Sequence, residues 1–103
     1  MRKIVFLGRS LELIREFPSS VKQESGYELD KVQRGLEPKD WKSMSAIGPG
    51  VREIRIHTGG TWRLVYVVNR KDAVYVLHAF QKKTQKTTMR DVLLIKSALK
   101  ELK

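Results

Sequence analysis

Four side chains able to carry or exchange charge, Arg55, Arg63, His78 and Lys82, fall in or just after three consecutive runs with a two-residue period: 51–57, 61–68 and 74–80. Side chains alternate between the two faces of a strand, so parity sorts each run. Burying Ile54 and Ile56 turns Glu53, Arg55 and His57 to the opposite face; burying Trp62, Leu64, Tyr66 and Val68 leaves Arg63, Val65 and Val67 there. Parity does not choose a face for the third run, but polarity does: His78 and Lys82, with Phe80 between them, belong on the face of Arg55 and Arg63. Singly, each has a blander explanation, as an ion-pair partner, a structural imidazole or a core ring. Together they make a cationic surface with an aromatic ring, suited to a bent RNA strand whose phosphates meet arginine forks and lysines.

That set fits one reaction, RNA cleavage without metal, in which a 2′-hydroxyl attacks the adjacent phosphate and expels the next 5′-oxygen. A base, an acid, cations for the phosphorane-like charge and a clamp on the strand are needed. Arginine does not readily give up protons, which assigns Arg55 and Arg63 to charge stabilisation. His78 and Lys82 can exchange protons, and which is base and which is acid stays open. Glu53 is either a reserve base or an arginine's partner. His57, Phe80, Lys83, Lys86 and Arg90 are the expected RNA-binding residues; the last three lie in Gln81–Arg90, a stretch with four cations and no acid, just before a capped helix start.

The remaining composition removes competitors. No cysteine occurs among the 103 residues, which rules out disulfides, thiolate zinc and a cysteine nucleophile, and fits a reducing cytoplasm. With two histidines and few carboxylates, none at ligand spacing, no metal site and no cofactor are expected. No phosphate-binding GxxxxGK[ST] and no nucleophile-elbow motif is present. The apolar run Ile4–Leu7 is too short for a signal peptide or a membrane span, so a soluble cytoplasmic chain without a membrane partner is expected. The net charge is +10, and it is uneven: residues 1–50 carry 9 Lys+Arg and 7 Asp+Glu, residues 51–103 carry 12 and 4. A field of that sign favours polyanions.

The elements that must position these groups follow from pattern. A single domain over 1–103 is expected, opened by a buried strand at Ile4–Leu7. A short helix capped by Ser10 ends before Pro18, and a second starts at the capping-box sequence from Ser20 and stops near Gly35. Residues 36–50 read as a loop pinned to the core by Trp41, Met44 and Ile47. The three periodic runs form an antiparallel meander, and Thr87 or Thr88 caps a last helix with Val92, Ile95, Leu99 and Leu102 in one stripe. The class is α+β, with the order strand, helix, helix, three-strand meander, helix: a twisted, mainly antiparallel four-stranded sheet with helices packed on one face.

The segments Gly48–Ile56, Trp62–Val67 and Val74–Thr87 closely resemble the RelE/ParE toxin superfamily, and Phe80-Gln81-Lys82-Lys83-Thr84-Gln85-Lys86-Thr87 is similar to its HigB-related, phage-derived-protein branch. The likeness extends to Leu29–Leu36 and Asp40–Met44. It implies a RelE-like fold and the toxin of a type II toxin–antitoxin pair, with a helix-turn-helix, HigA-like antitoxin as partner and operator DNA reached only through that antitoxin. RelE-like members cut mRNA on the ribosome; ParE-like members inhibit gyrase without catalysis. The resemblance matches Arg55, Arg63 and Lys82 to cleavage positions. Glu53 stands where RelE has a lysine, and the last helix carries no tyrosine. Beside an mRNA endonuclease, a gyrase inhibitor and a non-catalytic RNA-binding module remain as alternatives.

Overall fold

In the computed structural model, which describes residues 1–102, the elements run β1 (Lys3–Phe6), α1 (Ser10–Arg15), α2 (Ser19–Gln33), β2 (Trp41–Ser43), β3 (Val51–Ile56), β4 (Trp62–Val67), β5 (Ala73–Gln81) and α3 (Met89–Lys100). They form an α+β fold around one sheet of order β1-β5-β4-β3-β2, antiparallel except where β1 lies parallel to β5. Pro18 separates α1 from α2, because the residue before a proline is pushed out of helical geometry. Ser10 does not cap α1; its hydroxyl donates to the Val76 carbonyl at 3.1 Å and ties the helix to β5. The α2 start also lacks a side-chain cap, whereas Thr88 caps α3 by accepting the Asp91 N–H.

Two expected details are corrected. The sheet has five strands rather than four, because Trp41–Ser43 pairs with Ile54–Arg52 inside the stretch read as a loop. Three residues between prolines and glycines are too short to show a period. The helices also do not share one face. On one face α1 and α2 cover Ile54, Ile56, Leu64, Tyr66, Val74 and Val76; on the other, Ile95 and Ala98 of α3 pack with Val51, Val65, Val67 and Leu77. Every residue of β4 is buried, and a strand apolar on both sides requires a cover on both. Met44 and Ile47 join the α3 side, as do Leu99 and Leu102.

A β-bulge sets the face of β5. Val65 pairs with His78 but Tyr66 pairs with Val76, so Leu77 is an extra residue and the parity of β5 reverses across it. Val74 and Val76 therefore share the α1–α2 core with Ala79, while Tyr75 lies on the same side as His78 and Phe80.

Candidate nucleic-acid interface

The bulge aligns the charged groups. Across β3, β4 and β5, Arg55 pairs with Arg63 and Arg63 with Phe80; one step further, the Lys82 N–H donates to the Thr61 carbonyl at 2.7 Å. Two arginines directly opposite one another repel, and a carboxylate offsets that cost. Glu53, 4% exposed, lies 3.3 Å from Arg55 Nε and 3.5 Å from Arg63 Nε. Glu53 thus pairs with both guanidiniums at once. Arg63 is 5% exposed, its Nη1 donates to the Trp62 carbonyl at 3.2 Å, and its Nε has no hydrogen-bond partner. Burial lowers its pKa, as does the charge of Arg55, while Glu53 and Asp40 act the other way. It remains a cation in neutral solution.

Arg63 and Lys82 converge. With Thr61, Lys83, Thr84 and Gln85 they line one shallow concavity of about 600 Å³. It is rimmed by hydroxyls, amides and cations without an acid, which suits a phosphate or ribose more than an apolar ligand.

His78 is placed otherwise. It sits on the same face but beneath the start of α3, 4% exposed, with Nε2 2.8 Å from Asp91 Oδ1 and its ring stacked on Phe80 at 5.4 Å between centroids. Thr88 donates to the other oxygen of Asp91 at 2.7 Å, so the imidazole, the helix cap and the sheet are joined in one chain. His78 and Asp91 both border a second groove, of about 800 Å³, between α1 and α3. Phe80 and Arg90 line it, along with Leu13, Phe17 and Leu94; Lys83 borders both hollows. Lys86 is exposed in the loop and lines neither. His57 lies at the exposed end of β3, its Nε2 2.9 Å from Asp40 Oδ2. Asp40 and Thr61 were not among the expected site residues: Asp40 lies in the aperiodic stretch before β2, and Thr61 immediately precedes β4 with no chemistry-bearing pattern around it.

Comparison with known proteins gives this arrangement a family. The profile of the phage-derived protein Gp49-like family (DUF891) matches residues 12–100. The chain belongs to that family. Among solved structures it is similar to the isolated E. coli RelE toxin, with a TM-score of 0.68 at 20% identity over 100% of both chains. It is also similar to a doubly substituted E. coli RelE in the free state, with a TM-score of 0.69 at 20% identity over 99% of this chain and 98% of that one. None of the curated proteins matches the chain. The likeness to these structures shows that this Gp49-like protein has the fold of RelE. No helix among its described residues is long and apolar enough to cross a membrane.

Proposed function

We propose that this Gp49-like protein is the toxin of a type II toxin–antitoxin pair, on the HigB-like branch, and that it cuts ribosome-bound mRNA by metal-independent attack of a 2′-hydroxyl on the scissile phosphate. The observation that carries the reading is the meeting of Arg63 and Lys82 at one open hollow with Thr61 and no acid on its rim, while Arg55 stands opposite Arg63 on the neighbouring strand. The fold shared with a protein described as a toxin supports the biological setting.

Arg55 and Arg63 supply fixed positive charge where the phosphorane's charge grows. Glu53 fixes both without neutralising both, so little reorganisation accompanies the reaction. Lys82, half-buried at the end of β5, carries a proton that a leaving 5′-oxygen can take. Phe80 and the loop cations Lys83 and Lys86, with Arg90, hold the flanking nucleotides by stacking and charge. The partner is a helix-turn-helix, HigA-like antitoxin that binds operator DNA and restrains the toxin in the cytoplasm.

Induction of the gene alone, with mapping of mRNA 5′ ends, tests the reading. Cleavage and growth arrest are expected for the native chain and lost in Lys82→Ala, a change at a half-buried residue just beyond β5 that leaves both cores intact. Arg63→Lys keeps a cation but not the fork and is expected to slow cleavage at least about tenfold. Intact mRNA with supercoiling defects would replace this reading by gyrase inhibition. Harmless expression with salt-sensitive RNA binding would leave only a binding module.

A further inference from the structure

Two imidazoles here meet a carboxylate through the same ring atom, and one of them is open to substrate. At His78 the pair is closed: 5% of the side chain is exposed, under α3 and against Phe80. At His57 the same contact, Nε2 to Asp40 Oδ2 at 2.9 Å, leaves 59% of the side chain exposed. A carboxylate at Nε2 holds the proton of the neutral ring on that nitrogen and leaves the Nδ1 lone pair free to accept another.

Position supports the same conclusion. Glu53, Arg55 and His57 share one face of β3 by alternation. Carrying the β3–β4 register one step beyond Ile56–Trp62 sets His57 opposite Thr61, whose carbonyl in turn holds the Lys82 N–H. His57, Thr61 and Lys82 thus form a row across the sheet beside the row of Arg55, Arg63 and Phe80. Two strand spacings put the His57 and Lys82 backbones roughly 10 Å apart, a gap that two side chains and one phosphate fill. Asp40 is fixed for its part: its carbonyl accepts the Arg55 N–H at 2.9 Å, which anchors the residue to β3.

We propose that His57, oriented by Asp40, is the general base of the cleavage, and that Lys82 is the acid. This assignment rests on the endonuclease reading above. The 2′-oxygen gives its proton to His57 Nδ1 and bonds to phosphorus, and the bond from phosphorus to the 5′-oxygen breaks. Lys82 Nζ gives that oxygen a proton, leaving a 2′,3′-cyclic phosphate and a 5′-hydroxyl. Water returns both groups to their starting states. The charged groups around His57 are Asp40, Arg55 on its own strand, Arg63 on β4, Glu53 between those arginines, and Glu24 of α2, which accepts from the neighbouring Thr58 hydroxyl at 2.6 Å. His78 is then a positioning group for α3.

The test is a single-turnover cleavage rate on mRNA-programmed ribosomes, measured with the purified protein from about pH 5 to 8, where an imidazole titrates. The native rate is expected to climb with pH as His57 loses its proton. In His57→Gln, which keeps an amide donor for Asp40, the rate is expected to fall about a hundredfold and the climb to vanish. Asp40→Asn removes the carboxylate that orients the ring, and it is expected to lower the single-turnover rate at saturating protein at least about tenfold without weakening ribosome binding. A His57→Gln protein that keeps the native rate and profile, while Arg63→Lys is impaired, overturns the base assignment and leaves the endonuclease standing. Likewise, an Asp40→Asn protein that cleaves at the native rate overturns the pair. A native protein that cuts no mRNA, or an Arg63→Lys protein that cuts at the native rate, removes both readings together.

Discussion

At the scale of single residues, Glu53 joins stability to function. Its carboxylate holds Arg63, whose side chain is 7% exposed, and Arg55, and without it two like charges face each other across β3 and β4. Breaking a buried ion pair from one side leaves an uncompensated charge, so Glu53→Gln is expected to lower unfolding free energy by about 3 kcal/mol, read by urea denaturation. An unchanged midpoint would mean that the arginines tolerate each other without it. Tyr66 makes the opposite case: fully buried under α2, its hydroxyl has no hydrogen-bond partner, and burial raises its pKa, with nearby Arg52 acting against that. Tyr66→Phe is therefore expected to be neutral or up to about 1 kcal/mol stabilising near pH 7. A phenol pKa raised by folding gives stability that is whole below the unfolded value near 10 and is lost as pH climbs past it. Tyr66→Phe is expected to flatten that alkaline loss, and an equally steep loss would place the effect on another group. The two arginines were legible because β3 and β4 alternate cleanly; Asp40 was not, because its neighbours have no period and its contact with His57 spans 17 residues.

At the scale of elements, α3 decides what the face of the sheet can do. Its apolar stripe at Ile95, Leu99 and Leu102 was readable as a stripe, but periodicity within a helix does not say which side of a sheet it covers. The clue lay in β4, where Val65 and Val67 would have been left bare opposite Leu64 and Tyr66. The bulge at Leu77 carried no glycine or proline to mark it, and only pairing reveals it. Because α3 lies across His78, the start of this helix is held by a short polar chain, His78 to Asp91 to Thr88, together with Ile95 and Ala98 further along. Asp91→Ala removes both the imidazole's partner and the acid at the helix start. It is expected to cost about 2 kcal/mol and to speed amide exchange in the first two turns of α3 more than in β4. Exchange that accelerates equally in β4 would show that the contact supports the whole fold instead of the helix start.

At the scale of the whole molecule, the +10 charge is a statement about partners. The meander and its following loop bring Arg55, Arg63, Lys82, Lys83, Lys86 and Arg90 to one end of the sheet or beside it, whereas several cations of the first half are engaged locally, Arg9 with Glu12, Arg34 with Asp30 and Lys31 with Glu28. Polyanion binding should therefore depend on the second half. If all six cations meet phosphates of a single strand, each releases about 0.7 counterion, and the logarithm of the binding constant falls with the logarithm of salt at a slope of about −4. Removing two contacts with Lys83→Ala/Lys86→Ala should reduce that slope by about 1.4 in a fluorescence titration against single-stranded RNA. Removing Lys31 and Arg34 should leave it unchanged, because those side chains already hold carboxylates of their own helix and line neither hollow. A slope insensitive to the loop lysines but reduced by loss of the α2 cations would move the nucleic-acid face to the α1–α2 side of the sheet, away from Arg63 and Lys82.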